Sequence, residues 1–481
     1  MDDPQLRPTA ALDQPTRSGL AETRVSASGS PVFGFLLVGG SVVGSQVRDI
    51  RLANEFARRG YPVRAWWAMD RPHQSPLSPT IPQRWLYSAG RYAGFFRFSG
   101  EFLGRTVTRL TTDAFRQRIS QRFPAFVSQQ LRALIRAVCL GVERDGHLIR
   151  RFGQEIAKAQ VTHFLPNLEC LAPFVHAARR YVPHHVKSLV TFQGYELYAI
   201  YARELGLEDR LYERLRDVVA QSDWPAISVS DAYSARIQQE VGVAGQDLKM
   251  IPAGAPFDQP VDLTRAHAEI RQAYPQYRPE IPLVTYVGRR DSEKGIDLLL
   301  YAARLLQERG VPLQLAICGP TAFGNHYAEA CQQVAWNMRL PVLWGGFISD
   351  ALRSALFRAS RTVVYPSIHG EPFGMVPIEA MAQGTPVVVP DQGGVAGLVQ
   401  VAQSVGGLRF RTWDSGDLAQ QIERLLRDTR LCQDLSQGAL QIADYYSVTR
   451  MGDRVLDHMG LPRWADGTPA GGTVREPAAA A

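Results

Sequence analysis

Two glutamates, Glu371 and Glu379, stand with seven residues between them, one before and one inside a short amphipathic stretch. The stretch reads His369-Gly370-Glu371-Pro372-Phe373-Gly374-Met375-Val376-Pro377-Ile378-Glu379-Ala380-Met381-Ala382-Gln383-Gly384. A carboxylate accepts from hydroxyls, and the start of a helix offers unpaired N–H groups to an anion. Together they suit a ligand that joins phosphates to hydroxyls, and a nucleotide sugar is such a ligand. Upstream, Arg289 and Lys294 share the loop Gly288-Arg289-Arg290-Asp291-Ser292-Glu293-Lys294-Gly295. Two cations at the carboxyl end of a strand suit a diphosphate. Lys294 is one of only four lysines among 53 basic residues, with Lys158, Lys187 and Lys249. A compact ammonium therefore persists there against a strong bias to arginine. Two glutamates at this spacing, taken alone, are more often solvated side chains of an ordinary helix. The rest of the chain has to decide.

The elements that must hold these residues follow from pattern. Thr362–Pro366 and Val387–Pro390 are short, β-branched and bounded by Pro, which reads as buried strand. Between them Pro377 suits a first helical turn, Ile378, Met381 and Ala382 form an apolar stripe, and Gly384 suits a C-terminal αL residue. The unit is a βαβ crossover of a parallel sheet. Leu283–Val287 is a strand feeding the Arg289 loop, followed by a helix with Leu298, Leu299, Ala302 and Leu305 on one face. Leu313–Pro320 and Val342–Phe347 add further βα units. Near the start, Phe33–Val38, the Gly39-Gly40 turn, a helix with Val47, Ile50, Leu52, Ala53 and Phe56, and a strand to Trp66 form an N-terminal βαβ. That turn matches neither GxGxxG nor a Walker loop, so its phosphate signal is weak. Ser188–Phe192 reads as one strand opening into Gln193-Gly194-Tyr195-Glu196, a polar loop where open α/β sheets bind ligands. His163 reads as a structural strand-end residue, and the polar, Pro-rich segment 259–282 as a hinge.

At 481 residues the chain exceeds what one core supports. No run approaches the roughly 20 apolar residues of a membrane span. The acidic start lacks an apolar core, so no secretory signal is expected. Five scattered cysteines without metal spacing fit a reduced, cytoplasmic location. Between Arg84 and Arg136, ten arginines face only Glu101 and Asp113, with aromatics interleaved. That composition lies on anionic lipid, or else packs its apolar face on the domain and leaves the arginines solvated. Nucleic acid is not an expected partner.

Several motifs recur in register: Glu371 to Glu379 around Phe373-Gly374, Gly288-Arg289 with Lys294-Gly295, and Pro366-Ser367. Ile251-Pro252-Ala253-Gly254 and the run from Gly406-Gly407-Leu408 through Leu425-Leu426-Arg427-Asp428 to Tyr446-Ser447 join them. On these the chain resembles the retaining glycosyltransferases of family 4 (glycosyl transferases group 1), from about Phe33 to Leu461 and thinly between Arg84 and Gly153. The resemblance implies an α/β protein of GT-B type, two Rossmann-like domains whose parallel sheets face an interdomain cleft. Expected boundaries are a tail at 1–30, an acceptor domain at 31–262 with the basic insert 84–136, and a nucleotide-sugar domain at 263–445. A C-terminal helix at 446–464, returning to the first domain, and a tail at 465–481 follow.

The resemblance also implies roles. Arg289 and Lys294 would grip the donor diphosphate, Glu371 the hydroxyls of the transferred sugar, and Glu379 the nucleotide ribose. Gly39, Gly40, Gly288, Gly319 and Pro320, with the backbone of Phe373, Gly374 and Met375, would complete the donor site. Gln193, Tyr195 and Glu196 would position the sugar or acceptor. The implied reaction moves a hexosyl unit with retention from a UDP- or GDP-sugar to a lipid-linked or glycan acceptor, at the inner face of the cell membrane. No metal and no cofactor are expected, since no DxD motif stands in a suitable place. Two departures bear on sugar choice: Gln193 stands where many relatives carry His, and Val395-Ala396-Gly397 where many carry Glu. The alternatives are a nucleotide-sugar epimerase on the same fold and an inactive sugar-binding scaffold. A phosphorylase is disfavoured because no lysine suits pyridoxal phosphate.

Overall fold

The computed structural model describes residues 30–38, 44–68, 75–87, 124–321, 324–465 and 468–469. The expected tails, the Gly39-Gly40 turn and residues 88–123 of the basic insert lie outside the described residues, except for short stubs of the tails.

The chain first builds a parallel sheet. β1 (Phe33–Val38) leads through α1 (Gly44–Arg58) to β2 (Val63–Ala68) and β3 (Gln83–Tyr87). α2 (Pro124–Leu140) and α3 (Gly146–Lys158) precede β4 (His163–Pro166), and α4 (Ala172–Ala178) precedes β5 (Lys187–Ser188) and β6 (Thr191–Phe192). α5 (Glu196–Glu204), α6 (Glu208–Ala220), β7 (Ala226–Ser228), α7 (Asp231–Glu240) and β8 (Leu248–Met250) complete this part. The strand order is β3-β2-β1-β4-β5, and β6-β7-β8 form a further ladder, all parallel. The single strand expected over Ser188–Phe192 is thus two. Asp223 interrupts it: its N–H donates to Ser188 O (2.9 Å) and its carboxylate accepts from Ser188 N (2.7 Å), taking the ladder positions.

The second sheet follows from α8 (Leu263–Ala273). It runs through β9 (Leu283–Val287), α9 (Ile296–Glu308), β10 (Gln314–Cys318), α10 (His326–Asn337), β11 (Val342–Gly345) and α11 (Asp350–Ala359). β12 (Thr362–Val364), α12 (Met375–Met381), β13 (Val387–Pro390) and β14 (Gly407–Phe410) then lead to α13 (Ser415–Arg427), α14 (Thr429–Tyr445) and α15 (Val448–His458). The order is β11-β10-β9-β12-β13-β14, wholly parallel and doubly wound. Its four inner strands, β10, β9, β12 and β13, are buried on both faces, as their apolar runs require. Gly384 sits at φ +72, the left-handed residue that ends the α12 region.

Two strands of backbone join the halves. Ala255 N donates to Tyr446 O (2.9 Å) and Val448 N to Ala255 O (3.0 Å), so the outgoing and returning segments pair with each other. α15 then packs on α1, with Met451, Val455 and Leu456 buried in one cluster with Phe33 and Phe56. Arg59 clamps the contact through Asp453 and Thr449 O, each at 2.7 Å.

Two further readings of the chain need correction. The basic insert begins as β-strand: Arg84–Tyr87 lie in β3, on the sheet edge beside β2. Its described helical part, α2, buries Leu134, Ile135, Val138 and Cys139 in the domain core, while Arg132 pairs with Glu204 (2.6 Å). That apolar face is spent on packing. The segment 259–282 is not a bare hinge either. Asp262 caps α8 by accepting from Arg265 N (3.0 Å), and Ala266 and Ile270 are buried.

Candidate functional site

In both sheets the order reverses beside the first strand, at β1/β4 and at β9/β12. The crevice outside the carboxyl ends of such strands is where open α/β sheets bind ligands. The two sets of strand ends face each other: Ser230, just after β7, donates from Oγ to Pro372 O in the loop after β12 (2.7 Å). Ser230 also caps α7 by accepting from Tyr233 N (3.1 Å), so one side chain orders a helix and spans the cleft.

The loop after β9 and the loop after β12 form one polar structure. Ile368 N donates to Glu293 O at 3.0 Å, and Ser367 Oγ lies 3.2 Å from the same oxygen. Gly295 makes the close approach possible. It lies at φ +63, and a Cβ there would meet Pro366 O at 2.2 Å. Lys294 is thereby brought onto Glu371, which accepts from its ammonium at Oε1. Ser367 Oγ (2.9 Å) and Tyr365 OH (3.1 Å) donate to the same oxygen, and His369 Nε2 lies 3.7 Å away. Oε2 takes no hydrogen bond among the described residues. Burial alone would raise the Glu371 pKa. The Lys294 charge outweighs it, with His369 and the hydrogen bonds from Lys294 and Ser367, and holds the carboxyl at about 2. Glu371 is therefore a fixed anion with one oxygen saturated and one open.

Arg289 stands in the same loop. Its guanidinium engages Asp291 and, at 2.6 Å, Glu293. Burial works against its charge, but Glu293, Asp291 and Glu371 raise its pKa further. Gly288 and Gly319 meet edge to edge, since a Cβ on Gly319 (φ +136) would fall 1.8 Å from Gly288 O. Arg290 ties the same turn, its N–H donating to Pro320 O and its Nε to Gly319 O, both at 2.8 Å. Beside it opens a cavity of about 310 Å³ lined by Arg290, Pro320, Thr321, Asn325, Glu329 and the exposed ring of Phe347. Of these only Pro320 belongs to the residues expected from sequence; the doubled arginine at 289–290 was the available signal for Arg290.

Glu379 belongs to a different constellation. It lies inside α12, and its two oxygens engage Arg51 of α1 and Arg353 of α11 (3.3 Å). Arg51 also donates to Gly254 O (3.3 Å), so the ion pair bridges the two sheets close to the connecting segments. Phe373 is buried against Tyr446 with ring centroids 5.6 Å apart, and Gly374 takes φ +123 before Met375 opens the helix.

On the other side of the cleft, Gln193 follows β6. Its side-chain N–H groups donate to Asp49 Oδ2 (2.8 Å) and Asn167 O (2.5 Å), and its backbone N–H to Glu169 Oε2 (3.3 Å). Glu169 is wholly buried. Burial, with the nearby Glu196 and Asp49 carboxylates, pushes it up to about 8 against the pull of two backbone hydrogen bonds. Burial likewise raises Asp49, while Arg48, Asn167 and Gln193 pull it down. Tyr195, expected at the ligand, is a core residue. Its ring stacks on Tyr233 (centroids 5.9 Å apart) and its hydroxyl donates to Glu240 (2.7 Å), because the loop turns the side chain into the domain. Glu196 is spent locally on Arg236 (3.0 Å) and Tyr233 OH (3.2 Å). His163 sits at the opposite end of β4, bonded to Thr162 Oγ1 (2.9 Å) and stacked on Trp224. Burial, with Lys187 nearby, lowers its pKa to about 4, so it is a neutral structural group.

Among the described residues no group of three or more His, Cys, Asp or Glu could hold a metal ion. No helix among them is long and apolar enough to cross a membrane.

Residues 269–441 match the family described as Glycosyl transferases group 1. An uncharacterized glycosyltransferase of Methanocaldococcus jannaschii is 32% identical over 146 residues, 30% of this chain and 36% of that protein. D-inositol 3-phosphate glycosyltransferase of Salinispora arenicola is 33% identical over 277 residues, 54% of this chain and 57% of that protein. The chain thus spans between about a third and somewhat over half the length of these relatives. The crystal structure of Anabaena HepE in complex with UDP and glucose aligns with a TM-score of 0.65 at 17% identity, covering 89% of this chain and 99% of that one. The shared architecture is the GT-B fold, two Rossmann-like units with their strand ends facing.

Proposed function

We propose that this protein is a retaining glycosyltransferase of family 4 that moves a hexosyl unit from a UDP- or GDP-sugar to a lipid-linked or glycan acceptor. The observation that carries the reading is the buried Lys294–Glu371 pair at the β9/β12 switch point, with Glu371 Oε2 left open. Breaking a glycosyl–phosphate bond develops negative charge on the diphosphate and oxocarbenium character on the sugar. Lys294 and Arg289 stabilise the leaving diphosphate by fixed positive charge, the role a divalent ion fills in other transferases. Glu371 accepts from sugar hydroxyls through Oε2 while Oε1 stays bound to Lys294. The cavity beside Arg290 and Phe347 takes the base, and Glu379 accepts from the ribose.

Retention follows from attack on the same face the leaving group departs, with the departing phosphate oxygen taking the acceptor's proton. The group 1 family match over 269–441 and the UDP-bound state of the HepE structure support the donor class. Seven arginines between Arg91 and Arg122, in the part of the insert outside the described residues, support an acceptor met at an anionic membrane surface, in the cytoplasm. Salt-sensitive co-sedimentation with anionic vesicles tests that location.

Thermal-shift screening against UDP-, GDP- and ADP-sugars, followed by donor hydrolysis with and without EDTA, tests the main reading. A ligand at 100 times its Kd adds about 2.7 kcal/mol, which is readily seen. No stabilisation and no turnover with any donor refutes it, and EDTA-sensitive turnover refutes the metal-independent form.

A further inference from the structure

The first domain contributes a buried polar cluster that stands behind Gln193. Gln193 has both side-chain N–H groups committed, to the Asp49 carboxylate (2.8 Å) and the Asn167 carbonyl (2.5 Å). Neither partner oxygen carries a proton to give, so the amide fits only one way round, with nitrogen inward. Its oxygen, Oε1, is left without a partner among the described residues. The residue keeps 9% of its surface, at the same strand ends from which Ser230 reaches Pro372 across the cleft.

Asp49 is held just as firmly. Its Oδ2 also accepts from Asn167 Nδ2 (2.7 Å) and its Oδ1 from Arg48 Nη1 (2.5 Å), and only 2% of the residue is exposed. Arg48 reaches on towards Thr191 Oγ1 (3.5 Å), two residues before Gln193 on β6. Asparagine cannot stand in for Asp49. Its amide nitrogen would face either the Arg48 guanidinium or the two incoming amides, donor against donor.

We propose that Asp49 is a positioning residue that sets the polarity of Gln193, so that this side chain offers the transferred sugar a hydrogen-bond acceptor and not a donor. The consequence is specificity. A sugar hydroxyl at the contacted carbon donates into Oε1, whereas hydrogen or fluorine there cannot. Each wall thus holds an open oxygen among the described residues, Glu371 Oε2 and Gln193 Oε1, the first on an anion and the second on a neutral amide. The inference rests on the glycosyl-transfer reading above.

The test compares wild type, Gln193→Leu, Asp49→Asn and the double variant, each checked for folding by circular dichroism. The substrates are the best nucleotide sugar from the donor panel and its deoxy and deoxyfluoro analogues at each ring position. The electronic effect of fluorine is common to all four proteins and cancels in the ratio of their kcat/KM values. At one ring position the wild type is expected to prefer hydroxyl over both replacements, with a preference roughly tenfold or more larger than that of the substituted enzymes, the scale of one well-placed hydrogen bond. Both single variants are expected to lose that preference, and the double variant to lose no more than either. A Gln193→Leu enzyme that discriminates like wild type at every position overturns the inference. So does a folded Asp49→Asn enzyme that keeps the preference. Should Asp49→Asn fail to fold, Gln193→Leu alone still decides whether the amide oxygen reads a hydroxyl. A wild type that turns over no nucleotide sugar overturns the underlying reading instead, and this inference with it.

Discussion

The two walls of the cleft solve different problems with different chemistry. The second wall is built from full charges: Arg289, Lys294 and Glu371 on two loops that Gly295 allows to touch. The first wall presents a neutral amide, and its charges, Arg48 and Asp49, are buried behind that amide at 1% and 2% exposure. A diphosphate calls for fixed charge, because charge develops on it as the bond breaks. A sugar hydroxyl calls for a fixed direction, because a neutral hydrogen bond selects by which partner donates. On the proposed reading, one fold used twice holds a leaving group with electrostatics on one side and reads a sugar with geometry on the other.

The most damaging way to break this comparison is to remove charge from the second wall. Lys294→Ala and Glu371→Ala should each lower kcat by roughly 10²-fold or more with the fold intact, as expected for groups acting on transition-state charge. Steady-state kinetics with circular dichroism checks this, and near-normal turnover in both would remove the charged wall from the chemistry.

A smaller effect is expected where the walls meet. Arg51→Gln breaks the cross-domain pair with Glu379, and should raise the donor KM roughly tenfold, the size of about 1.4 kcal/mol of charged hydrogen bonding, with kcat little changed. Calorimetric titration with the free nucleotide sharpens the result, since the loss should be the same for nucleotide and nucleotide sugar.

The walls also predict opposite pH dependence of stability. Glu371 is depressed to about 2 from an ordinary 4.5, so its contribution is present above about 4.5 and is lost as pH falls towards 2. Glu169 is raised to about 8 from 4.5, so its contribution is full below about 4.5 and is lost as pH rises through 8. Urea midpoints against pH should therefore flatten below about pH 4.5 in Glu371→Gln and between about pH 4.5 and 8 in Glu169→Gln. The same slope in wild type and variant would disprove either assignment.

The smallest expected effect belongs to Ser230→Ala. Loss of the α7 cap should cost about 1 kcal/mol of stability, and loss of its bond to Pro372 O should change kcat/KM less than Arg51→Gln does.

The second wall could be read from the chain because each of its residues follows a strand whose apolar run is unmistakable, with few residues between strand end and side chain. Lys294 and Glu371 are 77 positions apart, yet both sit in loops after neighbouring strands of one sheet, which the βα pattern already implies. The first wall was legible only as a polar loop after β6. Gln193 was visible there; Tyr195 looked equivalent, and nothing local indicated that its ring turns into the core. The β-strand at Arg84–Tyr87 was hidden for a related reason. Arginine at an exposed sheet edge and arginine on an amphipathic helix have the same composition, and only pairing with β2 distinguishes them.

Order along the chain determined the doubly wound architecture, the strand-end loops and the residue types proposed to handle phosphate, because hydrophobic period and turn residues act over a few positions. Which side chains meet was decided by tertiary structure. Asp49 and Gln193 lie 144 positions apart, and Arg51 and Glu379 lie 328 apart. Their hydrogen bonds depend on how helix α1 seats against two different sheets, a packing outcome that no local pattern encodes.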